Sequence, residues 1–289
     1  LIASAKPLKG YGLADQGAGL VNVGAAWKVL KKNARTALGD LLLDFDVSVA
    51  VPHRPGSEGS GIYWRTGTYV PEYPVVQRVK IKPVMTASSS EKQRREFFAN
   101  LDLKPTERWV KIDRRKVAVR HDSPASIEVR LDPAKVAKPG LHEARIVGTI
   151  RGVDGPVVTV PVYVVTPYTF TTPETRRRTF SGTLDPGDID RRYLAVPAGA
   201  SSMQIRLEAP GKKYGDAWLK LHDPEGLRVF SPRPHMSSKT GSVAEITVSG
   251  EDLRPGIWEL NPYASFRNKQ RTAWTAEVRF VGIDLPDAL

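Results

Sequence analysis

The chain has 289 residues, room for two average domains and a fragment, and carries a net charge of +12. It contains no cysteine and no apolar run near the roughly 18 residues that cross a bilayer, which excludes disulfides, zinc thiolates, a thiol nucleophile and a membrane-spanning helix. Its basic residues come in scattered pairs (Arg94 with Arg95, Arg114 with Arg115, Arg191 with Arg192) and one triplet, Arg176 to Arg178, with no zinc-finger, helix-turn-helix or ribonucleoprotein motif, so they read as solvated surface and not as a specific nucleic-acid site.

The opening Leu1-Ile2-Ala3-Ser4-Ala5-Lys6-Pro7 has neither an initiator Met nor the basic-then-apolar order of a signal peptide, so residue 1 is expected not to be the start of the gene. Residues 1–38 differ from the rest in being rich in Ala, Gly, Leu and Lys. Asn22 is a natural N-cap, and Val23, Ala26, Trp27 and Leu30 fall at the spacing of one helical stripe, with Lys28, Lys31 and Lys32 toward the negative end of the helix dipole. One amphipathic helix needs a surface to pack on, so this leader is expected either to dock loosely on the adjoining β domain or to drive self-association.

At Asp40 the period changes to two. Leu43, Phe45, Val47, Val49 and Val51 alternate with polar or small residues, which predicts a half-buried strand. Further strands are predicted at 61–65, 75–81, 97–103, 109–112, 127–131, 144–150 and 157–165. Turn-rich stretches such as Lys138-Pro139-Gly140 separate them, the pattern of an immunoglobulin- or fibronectin-like antiparallel sandwich over 39–168. A Thr- and Pro-rich stretch up to Thr175 reads as a linker. Within 169–289, strands are predicted at 178–182, 193–196, 202–207, 217–222, 228–230, 244–248, 257–261 and 272–281. In the last of these Trp274, Ala276, Val278 and Phe280 share a face, and the set reads as a second sandwich of jelly-roll type.

Asp15-Gln16-Gly17-Ala18-Gly19-Leu20-Val21-Asn22-Val23 with Ala25-Ala26-Trp27 resembles the stretch that closes the catalytic domain of subtilisin-family (S8) serine peptidases, where a glycine-rich turn enters the last helix. Ala3 to Leu8 resembles the end of the helix before it. Gly61-Ile62-Tyr63-Trp64-Arg65, Leu131-Asp132-Pro133 and Gly140-Leu141-His142 are similar to the β domain that comes after the peptidase domain in the tripeptidyl peptidase II family. Phe180 to Leu184, Gly187 to Asp190, Val196 to Gly199, Gly215 to Leu219 and Asp223 to Gly226 resemble bacterial pre-peptidase C-terminal domains. The resemblance implies a mainly β, non-catalytic C-terminal region whose parent hydrolyses peptides through an upstream Ser-His-Asp triad, removes tripeptides from free N-termini and assembles into large oligomers. On compartment the two resemblances diverge, one suggesting cytosol and the other export.

No catalytic, cofactor-binding or metal-binding residue is assigned. The family's nucleophile lies in a Gly-Thr-Ser-Met-type turn that this sequence lacks, and His53, His121, His142, His222 and His235 are dispersed. Neighbours on a strand point to opposite faces, so the consecutive His121-Asp122-Ser123 does not converge as a triad. Asp185, Asp188 and Asp190 have a spacing that a calcium loop uses, but no bidentate Glu is found at the required distance and Arg191 and Arg192 oppose a cation, so a solvated turn is the preferred reading. Trp218, Trp258 and Trp274 with Tyr214 and Tyr263 are read chiefly as packing, with a stacking platform for carbohydrate or peptide as the alternative function.

Overall fold

The computed structural model describes residues 1–36, 38–39, 41–52, 56–65, 76–170, 176–209, 216–230, 235–237 and 241–282. They form two compact units, one holding residues up to Val164 except Arg65 and Lys138–Leu141, the other holding these and the chain from Val165 onward.

The first unit opens with a 3₁₀ turn at Ile2–Ser4, a single helical turn α1 (Leu13–Gln16) and the helix α2 (Val23–Asn33). Asn22 caps α2 as the sequence predicts, its Oδ1 accepting from the Ala25 N–H at 3.0 Å. Ala3 to Leu8 differs from the helix end that the resemblance implies. Beyond Ser4 the backbone is extended, and Lys6 and Leu20 exchange N–H···O bonds at 2.8 and 2.9 Å. Pro7 supplies the reason, since it has no N–H to donate and disfavours helical geometry at the residue before it.

Ten strands come next: β1 (Leu42–Ala50), β2 (Glu58–Gly59), β3 (Ile62–Arg65), β4 (Gln77–Met85), β5 (Phe98–Pro105), β6 (Val110–Ile112), β7 (Lys116–Arg120), β8 (Ala125–Leu131), β9 (Gly140–Ile150) and β10 (Val158–Thr166). They make two five-stranded sheets, ordered β2-β1-β4-β8-β6 and β3-β10-β9-β5-β7. Alternation places their core: β4 buries Gln77, Val79, Ile81 and Pro83 and exposes Arg78, Lys80, Lys82 and Val84. Val79, Ile81, Ile127 and Val129 from one sheet and Leu101, Val119, Ile146 and Val160 from the other are fully buried in one cluster. Gly61 is required by close approach, because a Cβ there would lie 2.6 Å from the Pro161 ring and 2.9 Å from the Pro161 carbonyl oxygen. Strand β2 and a short helix α3 (Glu91–Glu96), closed by a Ser90–Gln93 capping box, lie between the predicted strands and have too few residues for periodicity to reveal them; β7 was also missed, although Val117 and Val119 alternate with exposed neighbours.

The second unit contains β11 (Arg177–Leu184), β12 (Arg192–Ala195), β13 (Ala200–Ala209), β14 (Ala217–His222), β15 (Arg228–Phe230), β16 (His235–Ser237), β17 (Gly241–Ser249), β18 (Ile257–Ala264) and β19 (Thr272–Gly282). One sheet runs β11-β19-β13-β17-β16 and the other β12-β18-β14-β15. From β11 to β14 and again from β17 to β19 successive strands alternate between the two sheets, while β14–β15 and β16–β17 are hairpins within one sheet, so the unit is an antiparallel two-sheet sandwich of jelly-roll type. The β19 alternation holds: Trp274, Ala276, Val278 and Phe280 are buried and face Leu207, Met203 and Phe180 in the same cluster as Leu219, Leu221, Trp258 and Leu260 of the other sheet. Gly182 lies opposite Trp274 in the β11–β19 register, and a Cβ on it would meet the indole at 2.9 Å.

Candidate docking surface

Polar ties hold the leader to the first unit. Two N–H groups in the first turn of α1 have no helical acceptor, and Glu143 of β9 supplies one to each: its Oε2 accepts from Leu13 at 2.9 Å and its Oε1 from Ala14 at 2.7 Å. Gly12 makes room for that carboxylate, since a Cβ there would fall 2.3 Å from Oε2. Arg145 donates to the Gly17 carbonyl at 2.6 Å. At the far end of α2, Asn33 Nδ2 donates to the Asp154 carbonyl at 3.0 Å, the Asp154 N–H donates to Asn33 Oδ1 at 2.8 Å, and Lys32 pairs with the Asp154 carboxylate at 2.6 Å.

The leader thus rests on the first β domain, one of the two outcomes expected for it, but through polar ties in which the apolar stripe takes no part. Val23 is 68% exposed, Trp27 55% and Leu30 59%, and α2 buries no residue at all. Leu20 and Val21 just before the helix are also more than half exposed, as are Leu1 and Ile2. Between α2 and the sandwich lies a cleft of about 840 Å³, walled by Ala26, Val29 and Leu30 on the helix and by Leu42, Phe45 and Val157 opposite. A helix usually gains its stability by burying such a stripe. Here the C-terminal end of α2 is fixed to the sandwich while Val23, Trp27 and Leu30 stay more than half exposed.

Because the tether is a pair of hydrogen bonds, Asn33→Ala is expected to raise amide exchange across α2 by roughly 10- to 100-fold, each lost bond being worth about 0.5–1.5 kcal/mol. Mass-spectrometric exchange should show β9 and β10 unchanged. Equal loss in those strands would mean that α2 is part of the sandwich core.

The other residues singled out in the sequence are dispersed. His53 lies outside the described residues, as does the side chain of His235. His121 comes just after β7, His142 lies edge-on to Trp109 with centroids 6.5 Å apart, and His222 ends β14. Asp185 pairs with Arg271 at 3.1 Å and Asp190 with Arg192 at 2.7 Å, while the Asp188 backbone bonds to Asp185 and Ala264. Asp223 closes the β14–β15 turn, its Oδ1 accepting from the Glu225 and Leu227 N–H groups at 3.0 and 2.9 Å, with Gly226 at φ 83°. Trp258 and Trp274 are core residues, Tyr214 lies outside the described residues, and Trp218 and Tyr263 are partly exposed cross-strand neighbours. Sequence reading missed Glu143, Arg145 and Asp154. They lie more than 100 residues from their leader partners, and only Gly12, a glycine at a helix start, hints at a close approach. Among the described residues no helix is long and apolar enough to cross a membrane.

Residues 43–165 match the family model described as the tripeptidyl-peptidase II first Ig-like domain. The crystal structure of tripeptidyl peptidase 2 superposes with a TM-score of 0.75 at 22% identity, covering 99% of this chain and 24% of that one. At that identity the likeness speaks for the fold, and this chain spans under a quarter of that protein's length. The pre-peptidase C-terminal domain of a Bacillus anthracis collagenase covers 40% of this chain and 93% of its own at 18% identity, with a TM-score of 0.26, too slight to bear on the second unit. No curated protein matches the chain. The mainly β fold and the resemblance to tripeptidyl peptidase II read from the sequence are thereby borne out.

Proposed function

We propose that this chain, whose residues 43–165 belong with the first Ig-like domain of tripeptidyl-peptidase II, is an accessory region that seats a subtilisin-type serine peptidase domain on its leader. The uncovered stripe of Val23, Trp27 and Leu30, on a helix fixed at its C-terminal end by polar bonds, is the observation that carries this reading. An α/β peptidase domain offers the apolar surface that such a stripe needs, and burying each large side chain is worth roughly 1.5–3 kcal/mol. In this reading the Ser-His-Asp triad and the removal of tripeptides belong to that partner. The two β units stiffen it and present surfaces for assembly into a homo-oligomer.

The sequence encoded ahead of Leu1 gives the first test. Asp, His and Ser motifs in subtilisin order support the reading, and a start codon at this position overturns it. On the protein, the isolated chain is expected to resist fluorophosphonate labelling and to bind a separately produced upstream peptidase domain, and a version lacking residues 1–36 is expected not to bind. Labelling abolished by one Ser substitution within residues 1–289 refutes the division of labour.

A further inference from the structure

An open sheet ends in strands whose outer main-chain groups have no ladder to join, and soluble proteins blunt such edges by keeping them short, charged, bulged or covered. Among the described residues the edge strands β2, β3, β6, β7, β12, β15 and β16 all have five residues or fewer. The edge strand β11 (Arg177–Leu184) departs from that rule. It runs for eight residues without a proline or a lysine, and it pairs with β19 on its inner side through consecutive partners with no bulge. No other described main chain bonds to it.

This edge is open to solvent. Thr179, Ser181 and Thr183 are exposed on the outer face of the sheet. Gly182 is partly exposed although the Trp274 indole takes the place of its absent side chain, so the surface that it shows is main chain.

The edge also fits a copy of itself. Opposed residues of an antiparallel pair point to the same face, so about a two-fold axis perpendicular to the sheet each residue opposes itself or one an even number of places away. With the axis at Ser181, Thr179 meets Thr183, Phe180 meets Gly182, Arg178 meets Leu184 and Arg177 meets Asp185, and each of these pairs occurs twice. An aromatic set across from a glycine covers the area that the missing side chain leaves bare, and opposite charges close both ends of the ladder. Moving the axis to Phe180 sets Arg178 against Gly182, and moving it to Gly182 sets glycine against glycine; either shift separates Arg177 from Asp185. Both of these side chains are more than half exposed, and their present partners, Glu277 at 2.5 Å and Arg271 at 3.1 Å, form surface pairs of the kind that contribute little. A guanidinium has five donors, so Arg177 can keep Glu277 and still take a second carboxylate.

We propose that β11 is a self-association edge, on which a second copy of this chain pairs antiparallel about a two-fold axis at Ser181 and joins two β11-β19-β13-β17-β16 sheets into one. The contact supplies a surface for the homo-oligomer of the preceding reading, yet it is carried by the second unit alone, so failure of either leaves the other standing.

The test uses the full chain carrying Val23→Asp and Trp27→Asp, which takes the leader's stripe out of any association. The chain has no cysteine, and opposed Cα atoms about 4.5–5.5 Å apart are within reach of a disulfide. Under mild oxidation Ser181→Cys is therefore expected to form an intermolecular disulfide at least about tenfold faster than Thr247→Cys, an exposed position on β17 whose sulfurs meet only by collision. A one-to-one mixture of Thr179→Cys and Thr183→Cys chains is expected to cross-link where neither does alone. In sedimentation, Thr179→Lys with Thr183→Lys sets lysine against lysine twice and is expected to weaken dimerisation by roughly tenfold or more, with an unchanged melting temperature because both sites are exposed. Cross-linking of Ser181→Cys no faster than that of Thr247→Cys, or a lysine variant that dimerises as tightly as its parent, overturns the edge as the contact. Efficient cross-linking of Thr179→Cys by itself overturns the register.

Discussion

Trp258→Ala is expected to destabilise the second unit by about 3–5 kcal/mol, the cost of truncating a large buried aromatic. Trp258 is fully buried in the jelly-roll core, and its Nε1 donates to the Arg254 carbonyl at 2.8 Å, so the substitution opens a cavity and strips a carbonyl of its partner. Trp274 is just as deep, but its indole N–H has no partner. Replacing each by Phe should therefore separate them, with Trp258→Phe the costlier change. Denaturant unfolding monitored by hydrogen exchange is the measurement. Protection is expected to fall throughout β11–β19 while β1–β10 keep theirs, because the two cores are separate clusters. If both sets of strands lose protection together, the chain unfolds as one cooperative body and the division of 39–168 from 169–289 is wrong.

The second large effect is on association. Val23→Asp with Trp27→Asp is expected to leave the melting temperature of both units unchanged, yet to lower affinity for a docked partner, or for a second copy when no partner is present, by at least a hundredfold. Both side chains are more than half exposed, and surface substitutions of that kind usually shift stability by less than about 0.5 kcal/mol. An acid at position 23 sits in the first turn of α2, where the helix dipole favours it. Trp27 is covered on one side only by Lys31, whose Nζ is 5.0 Å from the ring centroid. Losing two buried apolar side chains at roughly 1.5–3 kcal/mol each gives the hundredfold or greater change. Sedimentation across a concentration series reads it. A variant that associates as strongly as the parent chain would show that the stripe is not the contact.

The strands were legible because their information is local. Val79 and Ile81, or Trp274, Ala276, Val278 and Phe280, declare a buried face by alternation alone, and nearly every predicted strand is present to within a few residues. The Asn22 cap was equally readable, since a cap is made by residues three apart. The helix stripe was legible as a pattern, but periodicity says only that a face is apolar and not whether anything covers it. That was decided in three dimensions, where Glu143, Arg145 and Asp154 tie the leader by its polar ends and leave Val23, Trp27 and Leu30 outward. The pairing of β14 with β18 is a similar case. Lys220, His222, Asn261 and Glu259 look like ordinary surface residues in sequence, and register across two strands about 40 residues apart is what sets an amide against an imidazole and leaves its other end bare. Composition, period and spacing fix what each residue offers its immediate neighbours. Which distant groups meet, and which are left without a partner, depends on the closure of the sheets, and no local pattern encodes it.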